Sequence, residues 1–241
     1  PPSEELFRRD LAGNGFHRLW ELAWKDCLRK GGRLQDLAER LFDTAYGEKY
    51  PGMLSDPRLA RQKMDHMEKN IRLGALQDAL EDGGLRENRR EQRLEFPLRD
   101  LEIAGTIFRG RCDRLEILND GVVLLFDYKS GKAERYKKSL QLAAYSIALQ
   151  RAGDGPGASA AVFLSLADGS STGAANDAPS WLGLGKTSLE SLEVQAFEAM
   201  NRAAESMASG IFPPDYDSDQ CARCSFSALC RRRDFRAEEE E

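Results

Sequence analysis

The apolar run that begins at Val122 constrains the fold more than any other part of the sequence. It is nearly continuous over Val122–Tyr128 and therefore predicts a strand that is buried on both faces. The preceding Asn119-Asp120-Gly121 is a strong hairpin turn, because Asp-Gly supplies the positive φ angles that tight turns need. We therefore expect Arg111–Leu118 to lie antiparallel beside this strand.

The remaining segments alternate between helical and strand periodicity. Helices are predicted over Gly15–Arg29, over the segment with Leu37, Leu41 and Ala45, over Arg58–Leu80, over Glu134–Arg151, and from a capping box at Thr187 and Glu190 to about Ala208. Further strands are predicted over Arg93–Phe108 and Ala160–Ala167, and Asp168–Pro179 is predicted to be a mobile loop. This order indicates an α/β sandwich about a small mixed sheet.

The length of 241 residues suits one large domain, or a domain with an appended segment. We predict an N-terminal helical part over residues 1–92, a core over 93–209 and a cysteine-rich tail over 210–241. No apolar run is long enough to span a membrane, no secretory signal is visible, and the odd number of cysteines does not indicate a disulfide framework. We therefore expect a cytoplasmic protein with no membrane segment.

The net charge of −5 disfavours a general nucleic-acid binder, which is usually basic. An enzyme that binds metal ions through carboxylates carries negative charge for that purpose. Local basic patches are therefore a better indication of nucleic-acid binding than the net charge. Two arginine groups are equally well explained as such patches or as solvated surface: Arg86, Arg89, Arg90 and Arg93, and then Arg231, Arg232, Arg233 and Arg236.

Two carboxylates and one ammonium group are predicted to meet at the end of the central strand. Asp127 and Lys129 are two residues apart, so they leave the same face, and the hairpin brings Asp113 alongside. Adjacent carboxylates repel each other unless a cation lies between them, and oxygen ligands suit Mg²⁺ or Mn²⁺. A lysine beside such a metal can activate water or stabilise charge on phosphate. Asp127 and Lys129 alone would more simply form a surface ion pair.

These residues belong to a longer pattern. It comprises Gly110-Arg111-Cys112-Asp113-Arg114, then Asp127-Tyr128-Lys129-Ser130-Gly131, then Gln141 and Tyr145. The pattern resembles that of RecB-like nucleases in the PD-(D/E)XK superfamily, with Ser130 in place of the commoner threonine. The resemblance implies a restriction-endonuclease-like mixed β-sheet flanked by helices, with an N-terminal helical part and a C-terminal cysteine tail. It also implies Asp113 and Asp127 as metal ligands, Lys129 as the catalytic lysine, and a helix with Gln141 and Tyr145 beside the active site.

An upstream motif extends the resemblance. Gly13-Asn14-Gly15-Phe16-His17 is similar to the Gly-x-x-x-His motif of the family, which implies His17 as a further metal ligand. Glu21 lies one helical turn further on and could orient this imidazole. Glu95, on the strand before that of Asp113, is a weaker candidate for an acidic residue near the site. His66 matches no motif and is predicted to be structural.

Three cysteines near the C-terminus form a Cys-x-x-Cys-x(5)-Cys pattern, Cys221, Cys224 and Cys230. Three thiolates are one ligand short of a closed zinc or iron–sulfur site. Resemblance to AddB-type members implies a [4Fe-4S] cluster whose fourth cysteine lies upstream of the His17 motif, where this chain has none. Either that ligand is missing from this chain or Cys27 replaces it. Cys112 is a poor candidate, because it should point to the sheet face opposite Asp113.

The resemblance implies a Mg²⁺- or Mn²⁺-dependent deoxyribonuclease, an exonuclease rather than an endonuclease, that acts on single- or double-stranded DNA without sequence preference. Its expected context is a repair or recombination complex with a helicase domain or subunit. Two alternatives remain: a stand-alone or CRISPR-associated RecB-like exonuclease, and a non-catalytic DNA-binding scaffold. The Walker-like Gly183-Leu184-Gly185-Lys186-Thr187 has Ser180 where that motif needs glycine, so we interpret it as a loop that enters a helix.

Overall fold

The structure is a computed structural model that describes residues 9–30, 34–49, 57–151 and 157–211. Six α-helices lie in these ranges: α1 (Arg9–Lys30), α2 (Leu34–Lys49), α3 (Pro57–Leu80), the single turn α4 (Arg86–Asn88), α5 (Gln141–Arg151) and α6 (Leu189–Ala208). None of the helices in these ranges is long and apolar enough to cross a membrane. The predicted cluster ligands Cys221, Cys224 and Cys230 lie outside the described residues, as does the side chain of Cys27.

Seven strands lie within the same ranges and form two sheets. They are β1 (Arg89–Pro97), β2 (Leu101–Ile103), β3 (Thr106–Phe108), β4 (Arg111–Leu118), β5 (Val123–Lys129), β6 (Ala160–Ser165) and β7 (Ser171–Ala175). The main sheet has the order β1-β4-β5-β6-β7, and β2 pairs with β3 as a separate hairpin. Only the β5–β6 pair within the main sheet is parallel, so the sheet is mixed. The prediction of a mixed sheet flanked by helices is confirmed.

The central strand β5 is buried on both faces, as its composition predicts. Leu124 and Phe126 face a core formed with α1, α2 and α3, whereas Val123 and Leu125 face a second core formed with α5 and α6. Helices thus cover the sheet on both sides. This arrangement leaves the end of β5 as the place where polar groups from both layers can meet.

A buried polar network joins the helical layer to the sheet. The side chain of Arg114 is fully buried, and its Nε donates to Glu116 at 2.5 Å. It also hydrogen-bonds Gln77 on α3, and its guanidinium stacks 5.1 Å from the ring centroids of Trp24 and Phe126. A buried charge is tolerated only when it is paired and hydrogen-bonded, so these partners make Arg114 a structural element rather than a solvent-facing group.

Several predicted boundaries are wrong. Helix α1 begins at Arg9 rather than at Gly15, and the stretch Arg93–Phe108 contains three strands, the first of which begins at Arg89. The predicted loop Asp168–Pro179 contains strand β7, whose small residues permit close pairing: a Cβ on Gly173 would lie 2.2 Å from the backbone oxygen of Ala161. The predicted helix Glu134–Arg151 is a 3-10 turn, Ala133–Tyr136, followed by α5.

The predicted cap of α6 is also wrong. The helix is capped by Ser188, which accepts the N–H of Ser191, rather than by Thr187. The Walker-like segment is a loop that leads into α6, as predicted, and a 3-10 turn over Ser180–Leu182 precedes it.

His66 packs in the middle of the helical layer and is structural, as the sequence predicts. It is 1% exposed, and its ring meets Phe16 of α1 and Phe42 of α2 edge-on at centroid distances of 5.3 and 5.7 Å. Burial lowers the pKa of His66 to about 4, so the ring is neutral in the folded protein at neutral pH.

This buried histidine predicts acid sensitivity. Because the folded pKa lies below the ordinary value near 6.5, the unfolded chain binds the additional proton, and stability is lost as pH falls through 6.5 towards 4. His66→Leu removes this proton uptake. The wild type is expected to lose about 2 kcal/mol more than the variant between pH 7.5 and 5, as measured by urea unfolding. If the free energy of unfolding fell by the same amount in both proteins over this pH range, the prediction would be contradicted.

Candidate active site

The site begins where β4 and β5 separate. Their register ends at the pair Arg114 and Phe126, and one residue further the Oδ2 atom of Asp113 accepts the N–H of Tyr128 at 2.8 Å. On the other side of β4, the register passes from Leu94 to Phe96, which places Glu95 at the level of Asp113. Glu95 has a φ angle of 47°, a left-handed conformation that is uncommon for residues other than glycine.

Three side chains from different elements converge here. One ligand atom from each of His17 on α1, Glu95 on β1 and Asp113 on β4 lies within 4.8 Å of the other two. His17 Nδ1 is 3.7 Å from Asp113 Oδ2. Imidazole nitrogen and carboxylate oxygen are both ligands for first-row divalent ions, so the three residues could hold a metal.

A second group of side chains continues the site at the end of β5. Lys129 Nζ lies 2.8 Å from Asp127 Oδ2 and donates to Gln141 Oε1 at 2.7 Å. The Nε2 of Gln141 donates to Asp127 Oδ1 and to the hydroxyl of Tyr145, each at 2.9 Å. Gln141 therefore links the strand to α5, and the amide fixes Asp127 and Lys129 relative to each other.

The two groups line a single cleft of about 600 Å³. Its polar walls comprise His17, Arg18, Glu21, Glu95, Arg111, Asp113, Asp127, Lys129, Gln141 and Tyr145. Gly110, the first residue of the Gly-x-x-Asp-Arg motif, is sterically required, because a Cβ at this position would lie 2.7 Å from the Tyr145 ring. Glycine at this position thus lets Tyr145 approach the strand that carries Asp113.

Comparison with known proteins supplies the family. The sequence matches the model of the PD-(D/E)XK nuclease superfamily over residues 1–231. The chain belongs to the PD-(D/E)XK nuclease superfamily. No curated protein matches it. Among solved structures, the crystal structure of SSO0001 is similar at 16% identity, with a TM-score of 0.39, over 90% of this chain and 84% of that one.

All six site residues that the sequence predicts within the described ranges line this cleft: His17, Asp113, Asp127, Lys129, Gln141 and Tyr145. Glu95, the weaker candidate from the sequence, lies in the cleft with His17 and Asp113. No sequence pattern signals its left-handed backbone conformation. Glu21 also lines the cleft, but its carboxylate pairs with Arg18 and Lys25 rather than with His17. Cys112 is buried in the opposite core, as predicted.

PD-(D/E)XK nucleases use divalent metals, and the charges of this site fit such an ion. Burial raises the pKa of Asp113 to about 6, and burial together with the nearby Asp113 raises the pKa of Asp127 to about 6. Asp127 Oδ2 is buried and, apart from its ion pair with Lys129, has no hydrogen-bond partner among the described residues. A cation would relieve the repulsion and use this oxygen.

The imidazole and the remaining carboxylate fit the same ion. Burial lowers the pKa of His17, so its ring is neutral at neutral pH, the form that binds metal. Burial, followed by the nearby Asp113, raises the pKa of Glu95. The lowered pKa leaves the His17 ring unprotonated, and a bound cation would stabilise the Glu95 carboxylate in its charged form.

The raised carboxyl pKa values predict two opposite effects of Asp113→Asn. Because the folded pKa exceeds the ordinary value, the ionised carboxylate destabilises the metal-free fold increasingly as pH rises from about 4 to 6. At pH 7.5 without metal, the variant is expected to gain about 2 kcal/mol, or roughly 5 °C in melting temperature. It is also expected to lose the stabilisation that Mn²⁺ gives the wild type.

Differential scanning fluorimetry with Mn²⁺ or EDTA measures both effects. The wild-type Mn²⁺ shift should shrink as pH falls from 7.5 to 5, because protons then compete with the metal. Asp78→Asn on the exposed surface of α3 is the matched control and should leave the shift unchanged. An undiminished Mn²⁺ shift in Asp113→Asn would exclude Asp113 from the metal site.

Proposed function

We propose that this chain is a Mg²⁺- or Mn²⁺-dependent deoxyribonuclease that hydrolyses phosphodiester bonds. The observation that carries the proposal is the convergence of a metal-competent group, His17, Glu95 and Asp113, with the Asp127–Lys129 pair in one cleft. A structural ion pair would explain Asp127 and Lys129 alone, but it would not explain buried carboxylates on two neighbouring strands with an imidazole beside them.

Each group has a distinct role in this proposal. His17, Asp113 and Asp127 would hold the metal, with Glu95 as an additional ligand on the α1 side. The bound cation would polarise the phosphate and lower the pKa of a water molecule. The Lys129 ammonium would contact the attacking water or a phosphate oxygen and stabilise the charge that develops there. Gln141 and Tyr145 would orient Asp127 and Lys129 through the hydrogen bonds described above.

The substrate is proposed to be DNA, held by its phosphates without regard to sequence. The segment between Lys129 and α5 carries four cations, all exposed, and one acidic residue: Lys132, Arg135, Lys137 and Lys138, with Glu134. The segment begins directly after the proposed catalytic lysine, so a strand of nucleic acid that enters the cleft would pass these cations. Within this segment, Lys137 forms an ion pair with Glu134 at 2.6 Å. In the arginine group near residue 90, Arg86, Arg89 and Arg93 are each engaged with acidic side chains.

We further propose an exonuclease that works in a repair or recombination complex with a helicase domain or subunit, and a [4Fe-4S] cluster on Cys221, Cys224 and Cys230. These features rest on the resemblance of the sequence motifs to those of RecB-like and AddB-type nucleases. A stand-alone or CRISPR-associated exonuclease is the alternative enzyme. A non-catalytic scaffold is disfavoured, because His17, Asp113, Asp127 and Lys129 are all present and line the same cleft.

The proposed reaction predicts that Asp127→Ala or Lys129→Ala abolishes cleavage while the protein remains folded. Each variant removes a group that contacts the reacting phosphate or its metal, which typically costs a hundredfold or more in rate, roughly 3 kcal/mol. The assay uses end-labelled single- and double-stranded DNA with Mg²⁺, Mn²⁺ or EDTA, with circular DNA to separate endonuclease from exonuclease action.

Lys186→Ala is the matched lysine control for this assay. Lys186 is exposed in the Walker-like loop and should keep full activity. Wild-type cleavage by Lys129→Ala would refute the catalytic assignment. A folded wild-type protein that cleaves no DNA with either metal, alone or with its cluster reconstituted, would favour the scaffold alternative.

The cations after Lys129 predict a salt-dependent interaction with DNA. Replacing Arg135 and Lys138 by alanine should weaken DNA binding and reduce the slope of log affinity against log salt by about 1 for each phosphate that is no longer neutralised. Fluorescence anisotropy with the Lys129→Ala protein measures this without cleavage. Arg202→Ala on α6, 69% exposed, is the control. An unchanged slope in the double variant would place the DNA elsewhere.

A further inference from the structure

The ammonium group of Lys129 has neighbours besides Asp127 and Gln141. Its Nζ lies 5.3 Å from the ring centroid of Tyr136 and 5.3 Å from that of Phe163. The two rings are themselves in contact, with centroids 5.4 Å apart and an interplanar angle of 34°. A cation over an aromatic ring is attracted by the negative charge of the ring face. The ammonium of Lys129 therefore lies beside one carboxylate, one side-chain amide oxygen and two aromatic rings.

The two rings differ in how they reach the lysine. Phe163 on β6 is the register partner of Asp127 and is 3% exposed, so the sheet fixes its position. Tyr136 comes from the 3-10 turn Ala133–Tyr136 in the segment that leads from β5 to α5. This turn folds back over the end of β5, and Tyr136 completes the surroundings of the ammonium.

A glycine makes room for the tyrosine. A Cβ on Gly131 would lie 3.1 Å from the Tyr136 hydroxyl but 3.7 Å or more from the ring carbons. The carbonyl of Gly131 accepts the hydroxyl of Ser165 at 3.0 Å, and the carbonyl of Lys129 accepts the N–H of Leu166 at 2.8 Å. Since the backbone here is tied to the end of β6, Gly131 cannot move freely away from the tyrosine.

We propose that Tyr136 is a positioning residue for Lys129: with Phe163 it forms an aromatic clamp that holds the ammonium at the cleft. The inference rests on the proposed function, since it assigns a role to the lysine of the same reaction. Tyr136 contacts neither metal ligands nor substrate in this scheme. It acts by limiting the positions of a long, flexible side chain, whose free rotation would otherwise spread the charge over many positions.

The first test is a kinetic series on DNA cleavage. Tyr136→Leu is expected to lower kcat about tenfold, since cation–π contacts of this kind correspond to roughly three- to thirtyfold in rate. KM and the Mn²⁺ affinity, measured by calorimetry, should stay within about twofold, because neither depends on the ring. Tyr136→Phe keeps the ring and should restore kcat. A wild-type kcat in Tyr136→Leu, or an equal loss in Tyr136→Phe, would overturn the clamp.

Gly131 supplies a second and sharper variant. In Gly131→Ala the new methyl group should push against the Tyr136 hydroxyl, displace the ring and lower kcat. Gly131→Ala combined with Tyr136→Phe should recover kcat, because the hydroxyl oxygen that the methyl group crowds is then absent. A general destabilisation by alanine would not be repaired by removing a hydroxyl. No recovery in the double variant, with the melting temperature unchanged, would therefore also overturn the clamp.

A spectroscopic measurement separates this inference from the proposed function. In protein with ¹³C-labelled lysine, the ε-protons of Lys129 should resonate upfield of the other lysines, because they lie beside two ring faces. Lys129→Arg assigns the signal, Tyr136→Phe should keep the shift, and Tyr136→Leu should reduce it. If the wild type cleaves no DNA but the upfield signal behaves this way, the clamp stands and the nuclease proposal fails. Absence of the signal refutes the clamp whatever the activity.

Discussion

The hydrogen bond from the Tyr128 N–H to the Asp113 carboxylate is the contact on which the rest of the site depends. It lies where β4 and β5 stop pairing through their backbones, so a side chain takes over the role of a backbone acceptor. Without such an acceptor, a buried N–H group would be left unsatisfied at a cost of about 1–3 kcal/mol. The same bond holds Asp113 beside Asp127. One interaction therefore both ends the backbone pairing of β4 and β5 and sets the distance between the two carboxylates.

Neighbouring residues of the same motif serve different purposes. Asp113 lines the cleft, whereas Arg114 is fully buried, bonded to Glu116 and Gln77 and stacked between aromatic rings. Tyr128 connects the two, since its hydroxyl accepts from Arg114 at 3.3 Å while its N–H holds Asp113. Loss of Arg114 would therefore reach the site through the fold, because it removes a cation that, together with Arg89, pairs with the buried Glu116.

Local pattern predicts some of this structure and long-range packing determines the rest. The hydrophobic run and the Asp-Gly turn predict β4 and β5, and the two-residue spacing places Asp127 and Lys129 on one face. Strand β7 is not predicted because its residues are small and resemble those of a loop. They are small because the strand pairs closely with Ala161 of β6, and the sequence of β7 alone does not contain this information. The grouping of Glu95 with His17 and the contact of Tyr136 with Phe163 likewise depend on partners far along the chain, which periodicity does not encode.

The cleft draws its groups from two hydrophobic cores that the sheet keeps apart. His17 is carried by α1, which packs in the first core, whereas Gln141 and Tyr145 are carried by α5, which packs in the second. The relative position of the two layers therefore sets the distance between the imidazole and the lysine–glutamine pair. A shift of one layer against the other would therefore change this distance without replacing any residue of the cleft.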